Sequence, residues 1–181
     1  MFSSLYQKYF IKPIATMLGK AVSTQYLRHR QELEPIKLQN GRILTNQILS
    51  GRTINHIHEA EFQVFSQWGD DGIIQYLIHK LNIKNKTFIE FGVQDYTESN
   101  TRFLLQNDNW KGMIIDSGKE YMDSVKRDSI HWRFDLTVVC NFITAENINS
   151  LFVDNGFSGN IGLLSIDIDG KTRGVSVNLL L

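Results

Sequence analysis

From residue 56 onward the chain alternates short apolar runs with stretches in which apolar residues return every three or four positions. Thr87–Gly92, Gly112–Asp116, His131–Phe134 or its continuation through Val139, and Gly162–Gly170 are the apolar runs. They read as strands, because a strand buried on both faces of a parallel sheet is close to continuously apolar. Between them lie helical patterns. Ile73, Ile74, Leu77, Ile78 and Leu81 share one helical face, behind Asp70 and Asp71, which suit the positive end of a helix. Phe103, Leu104 and Leu105 follow Ser99 and Asn100, either of which can cap a helix. Residues 119–127 form a third pattern, and Thr144 can cap a fourth that runs through Ile148, Leu151 and Phe152 to Gly156. Glu61–Phe65 is expected as a short extra helix. The β-α-β-α-β-α-β alternation predicts a parallel sheet with helices on both faces, an α/β fold.

The first 55 residues read differently. Phe2, Leu5, Tyr9, Ile14, Met17, Leu18, Ala21 and Val22 recur at near-helical spacing, and residues 1–31 hold Lys8, Lys12, Lys20, Arg28 and Arg30 with no acid. This predicts a basic amphipathic helix ending at Glu34-Pro35, because the residue before proline is pushed out of helical geometry. Such a helix packs on its own domain or a partner chain, the commoner fate, or lies on an anionic membrane surface or serves as a presequence. Residues 35–55, with Gly41, Gly51 and several Asn and Ser, and short apolar groups at Ile43-Leu44 and Ile48-Leu49, read as a connector with one or two short elements. Two regions are therefore expected, 1–55 and 56–181.

Composition narrows the classes. At 181 residues, 42% hydrophobic and 21% charged, the chain has the profile of an ordinary globular domain with a real core. Nineteen basic residues balance nineteen acidic ones, so bulk charge gives no reason to expect nucleic acid. Cys140 is the only cysteine, which excludes an internal disulfide and a cysteine zinc site, fits a cytoplasmic location, and reads as a small core residue. No apolar run approaches the ~20 residues of a membrane-spanning helix. Trp68, Trp110 and Trp132 read as packing residues.

The chemistry lies at the strand ends. Glu90, Asp116, Asp167 and Asp169 close three of the apolar runs, and a parallel sheet brings such ends to one edge, where ligands bind. Gly92 lets the backbone approach a ligand, and an acid 26 residues after Glu90 suits the two hydroxyls of a ribose. Gln94 and Tyr96 stand where a dinucleotide loop would carry further glycines. That bulk argues for a nucleoside-type ligand over a pyrophosphate. The bland alternative is that turns simply favour Asp and Asn. His56 and His58 at i and i+2 share no helical face and fix no third metal ligand. Asp167-x-Asp169 could face a divalent cation, but no metal is expected. No nucleophile-elbow spacing supports hydrolysis.

Phe88-Ile-Glu-Phe-Gly-Val-Gln-Asp-Tyr-Thr-Glu-Ser-Asn-Thr-Arg-Phe-Leu-Leu105, Trp110–Asp116, Glu146-Asn-Ile-Asn149 and Leu163–Gly170, with Ser66–Gly72 upstream, resemble the S-adenosylmethionine-dependent methyltransferase-like proteins related to the FkbM group. The resemblance covers about residues 61–170. It implies a Rossmann-like class I methyltransferase fold with strand order 3-2-1-4 for the strands present, and S-adenosylmethionine as cofactor. Glu90, Gly92 and Gln94 would lie in the first cofactor motif and Asp116 on the ribose hydroxyls. Asp135, or its neighbours after the third strand, would lie near the adenine, and Asp167 and Asp169 near the methionine end or the acceptor. The acceptor implied is a small molecule or glycan precursor, and no catalytic residue is assigned.

The resemblance stops after Gly170. Lys171–Leu181 lacks a helical period and aromatic residues, which reads as a shifted frame or a truncated product. The fourth strand would then be an exposed apolar edge, the kind that invites pairing with other chains. A second reading follows, a non-catalytic remnant or interaction module. A third, a nucleotide-cofactor Rossmann domain, is disfavoured by the glycine-poor loop.

Overall fold

The structure, a computed structural model, describes residues 11–51 and 53–167. Asp169, Gly170 and the Lys171–Leu181 tail lie outside the described residues. The chain divides into two units, Met1–Asn40 and Gly41–Leu181.

One helix, α1 (Lys12–Leu49), contains Pro35 in its interior. The expected stop at Glu34-Pro35 is therefore corrected, and so is the connector over 35–49. Proline removes one N–H and disfavours helix only locally. Within the second unit, Gly41, Thr45 and Ile48 recur at i, i+4 and i+7 as the buried face of the helix's last turns. At Gly41 the helix comes so close that an added Cβ would stand 2.6 Å from Val64 and 2.8 Å from Phe103. Packing holds a helix where local sequence would end one. In the first unit, Ile14, Leu18, Val22 and Tyr26 are all exposed.

The second unit follows the alternation read from its sequence. A 3-10 turn (Ile57–Ala60) precedes α2 (Asp70–Lys80), β1 (Thr87–Phe91), α3 (Arg102–Asp108), β2 (Lys111–Asp116), α4 (Lys119–Arg127), α5 (Ser129–Arg133), β3 (Leu136–Cys140), α6 (Ile148–Asp154) and β4 (Leu163–Ile166). The four strands form one sheet in the order β3-β2-β1-β4, and every pairing is parallel. Period-two alternation splits β1 between the two cores. Phe88 joins Leu104, Leu105, Trp110, Ile114, Met122 and Val138 on one face, whereas Ile89 and Phe91 join Met113, Ile115, Ile148 and Phe152 on the other.

Three local expectations give way to contacts the sequence does not display. Residues 61–65 are not helical. The amides of Val64, Phe65 and Ser66 all donate to one carboxylate oxygen of Asp71 (2.7, 2.8 and 2.8 Å), which uses up the donors a helix would need. The third strand is the continuation through Val139 and not His131–Phe134, because α5 occupies 129–133 and β3 begins only at Leu136. Asp128 caps α5 by accepting the Ile130 amide at 2.9 Å, which starts a helical turn where an apolar run suggested extension. Trp68 and Trp132 are 78% and 77% exposed, so only Trp110 is a packing tryptophan.

Candidate functional site

The parallel arrangement brings the carboxyl ends of β1, β2, β3 and β4 to one edge of the sheet. Of the residues read as a site, Glu90, Gly92, Gln94, Asp116 and Asp167 lie at or just beyond that edge. Asp135 does not. It precedes β3, and its carbonyl accepts the Gly112 amide at the opening of β2, so it belongs to the opposite, amino-terminal edge. Assigning Asp135 near an adenine is thus corrected. The residues that follow β3 are Asn141 and Phe142, the latter 72% exposed. The β-branched pair Val138-Val139 was the signal that could have placed this strand correctly.

Glu90 faces inward, one position beyond Ile89 and on the Phe88 side of β1. It is 1% exposed. One carboxylate oxygen accepts from the Ser99 hydroxyl (2.6 Å), the Thr101 hydroxyl (2.6 Å) and the Thr101 amide (3.2 Å). The other accepts from the Asn100 amide (3.0 Å) and the Ser165 hydroxyl on β4 (3.2 Å). Ser99 and Asn100 therefore do not cap α3 with their side chains, as their positions suggested. From the neighbouring strand, Glu90 takes the amides of the two residues that lead into that helix, Asn100 and Thr101. Burial pushes the Glu90 carboxyl above its ordinary value, opposed by these hydrogen bonds.

The turn from β1 to α3 is held in an unusual conformation. Gly92, Gln94 and Tyr96 all have positive φ, at 75°, 47° and 59°. Glycine adopts this freely, while at Gln94 and Tyr96 it costs about 1 kcal/mol or more each and needs surrounding contacts to persist. Those contacts are present. The Tyr96 amide donates to the Val93 carbonyl at 2.8 Å, and its hydroxyl pairs with Thr101 Oγ1 at 3.1 Å. Arg102, buried, donates to the Tyr96 carbonyl at 2.8 Å and lies over the rings of Phe65 and Tyr96. Burial, with the Glu90 carboxylate nearby, pushes the Tyr96 hydroxyl well up, so it stays a neutral hydrogen-bonding group.

Asp116 is a strand-end acid that keeps acceptor capacity for a ligand. It is half-buried, and its two oxygens each accept one backbone amide, Gln94 N at 2.9 Å and Gly118 N at 2.7 Å. A carboxylate oxygen can accept twice, so each retains a site. The Gln94 bond ties the first turn to the second, and the Gly92 amide adds a bond to the Ile115 carbonyl at 3.1 Å. Cys140, expected in the core, is exposed at the end of β3, with its thiol 3.8 Å from the Ser117 carbonyl. Asp167 is exposed beyond β4, and its amide donates to the Phe91 carbonyl at 3.1 Å.

Sequence reasoning missed the residues that hold the site together: Ser99, Thr101 and Ser165 around Glu90, and Asp71 behind them. Asp71 is buried, and beyond its three amides it accepts the Ser66 hydroxyl at 2.8 Å, while burial pushes its carboxyl up. The loop it organises meets the site through the Ser99 amide, which donates to the Phe65 carbonyl at 3.2 Å. Among the described residues, no group of three or more His, Cys, Asp or Glu side chains is placed to hold a metal. His56 and His58 stack with ring centroids 5.4 Å apart. Among the same residues no helix is long and apolar enough to cross a membrane. No protein-family model, curated protein or solved structure matches this chain.

Proposed function

We propose that the carboxyl edge of the sheet binds S-adenosylmethionine, and that the chain is a methyltransferase-like domain of the Rossmann-like class I kind acting on a small molecule or glycan precursor. The observation that carries this reading is Asp116. It is an accessible carboxylate at the end of β2, pinned by Gln94 N and Gly118 N, with one acceptor site left on each oxygen. Two acceptor sites held at fixed separation suit the vicinal hydroxyls of a ribose. Asn141 and Phe142 take the position next to the adenine that Asp135 cannot, and the exposed Phe142 ring offers a face for stacking. The strained Gly92–Tyr96 backbone would pass beside the methionine end, with Asp167 across the edge. In methyl transfer such a site contributes mainly alignment of the sulfonium carbon with the acceptor. No residue in the described edge forms a base–nucleophile pair, so catalysis would rest on positioning.

Calorimetry with S-adenosylhomocysteine tests the proposal. Asp116→Asn should weaken binding by one to two orders of magnitude, the loss of roughly 1.5–3 kcal/mol expected for hydrogen bonds to a charged acceptor. Cys140 supplies a second readout, since ligand on this edge should slow its alkylation by iodoacetamide. Absence of binding by well-folded protein would reject the assignment. It would favour a second reading, a non-catalytic interaction module, for which the complete enclosure of Glu90 speaks.

A further inference from the structure

Within the first unit, Ile14, Leu18, Val22 and Tyr26 of α1 follow one another at intervals of four, with Ile11 three residues before the first. All five are between 48% and 68% exposed. At 100° per residue they fall within an arc of about 120°, and Lys12, Lys20, Arg28 and Arg30 all lie outside it. A helix with that much apolar side chain in water is ordinarily covered by something.

Charge decides between the candidates. Residues 1–31 carry five cations and no Asp or Glu. A second copy of the helix, in either orientation, would set cations beside cations with no acid between Lys12 and Gln31 to pair them. Coiled-coil partners rely on complementary flanking charges, which are missing here. An anionic lipid leaflet supplies what the helix lacks, a dense negative surface for the cations beside an apolar layer for the stripe. The lysine and arginine stems are long enough to lay their methylenes along the apolar boundary while the charged heads stay with the phosphates. Tyr26, with an apolar body and a polar tip, suits the same depth. The hydroxyls of Thr16, Ser23 and Thr24 donate to the carbonyls of Lys12, Gly19 and Lys20 at 2.9, 2.8 and 2.8 Å, so they bring no unpaired donors to the boundary. Because no described helix is long and apolar enough to span, the arrangement is lying on the surface and not crossing it.

We propose that the exposed stripe Ile11–Tyr26 of α1 docks on an anionic lipid surface, with the helix in the plane of the interface. The proposal stands apart from the ligand edge of the second unit.

Flotation of the purified full chain with phosphatidylcholine vesicles, and with vesicles also containing phosphatidylglycerol, tests it. The chain should float with the anionic vesicles only, and salt should release it. Leu18→Glu/Val22→Glu should abolish flotation with the near-ultraviolet signal of the α/β unit unchanged. Each cation near such a surface is worth about fivefold in affinity, so Lys12→Gln/Lys20→Gln/Arg28→Gln should weaken binding on the order of a hundredfold. Equal binding to neutral vesicles overturns the proposal, as does failure to bind either kind. A stable dimer in solution that Leu18→Glu/Val22→Glu dissociates, with no vesicle binding by the parent chain, overturns it in favour of self-association.

Discussion

Replacing Glu90 separates a residue that builds the turn from one that binds a ligand. In Glu90→Ala five donors lose the carboxylate: the hydroxyls of Ser99, Thr101 and Ser165 and the amides of Asn100 and Thr101. The hydroxyls can rotate to find each other, but the amides cannot. Asn100 is half-buried and can turn to water, whereas the fully buried Thr101 amide keeps only its long 3.2 Å bond to Ser99 Oγ. Each stranded buried donor costs about 1–3 kcal/mol, offset in part by no longer burying a carboxylate. A net loss of about 3 kcal/mol is expected, lowering Tm by about 10 °C for a unit of this size. Glu90→Gln keeps one oxygen on the three donors around Thr101 and sets its amide against the Asn100 N–H, a loss of about 1–2 kcal/mol. Thermal unfolding followed by far-ultraviolet circular dichroism should therefore rank wild type above Gln above Ala. Hydrogen exchange should show the Asn100 and Thr101 amides opening first. A Glu90→Ala variant with unchanged Tm that no longer bound S-adenosylhomocysteine would refute the reasoning, because Glu90 would then serve the ligand and not the turn.

Asp71→Ala strands four donors in the same way and should cost about 3 kcal/mol or more. Asp71→Asn can keep its oxygen on all four and turn its amide into the position of Oδ1, which has no partner, for a loss near 1 kcal/mol. Burial holds Asp71 above its unfolded pKa, so the folded chain binds the extra proton. That stability is complete below the ordinary carboxylate value and lost as pH rises through the folded value. The advantage of wild type over Asp71→Asn in urea midpoint should accordingly shrink from mild acid toward neutral pH, and a gap that widened would reverse the sign argued here. Gly72→Ala should fail to fold or unfold far below wild type, because a Cβ there overlaps the Ala60 carbonyl and stands 2.6 Å from the Phe62 amide nitrogen, both backbone. A soluble variant with wild-type Tm would show that this loop can move.

The first, second and fourth strands were legible because they rest on burial written as continuous apolar runs, whereas their order was expected only from the resemblance. The Phe88–Phe91 run, apolar except for Glu90, and the β-branched and aliphatic Gly112–Ile115 run leave little room for another reading. What was illegible depends on single polar side chains reaching across the sequence. Nothing near Val64 announces that a carboxylate seven residues on will collect its amide. Nothing near Pro35 announces that Gly41 will seat the helix against Val64 and Phe103. Asp135 was misplaced for a related reason. The stretch just before it, Ser129–Arg133, is a short helix and not a strand, so an acid expected after the third strand precedes it.

The strand-end acids therefore divide by burial into two kinds, and the division bears on the ligand. Glu90 and Asp116 lie on adjacent strands two residues apart in register, since Glu90 stands beside Ile114. They carry the same functional group and nearly the same sequence signal. Glu90 points into the face shared with α3 and is saturated by that helix's entry, whereas Asp116 stands past the last buried residue of β2 and keeps half its acceptor capacity. The first makes the second useful. By fixing residues 99–101, Glu90 sets the far end of the turn whose Gln94 amide orients Asp116, and a ribose would meet a carboxylate already aimed. Loosening Glu90 should consequently weaken ligand binding less than removing Asp116 does, and only through the turn. The Glu90→Gln variant should show a modest rise in Kd that cooling, which favours the ordered turn, partly restores. The Asp116→Asn loss should show no such recovery.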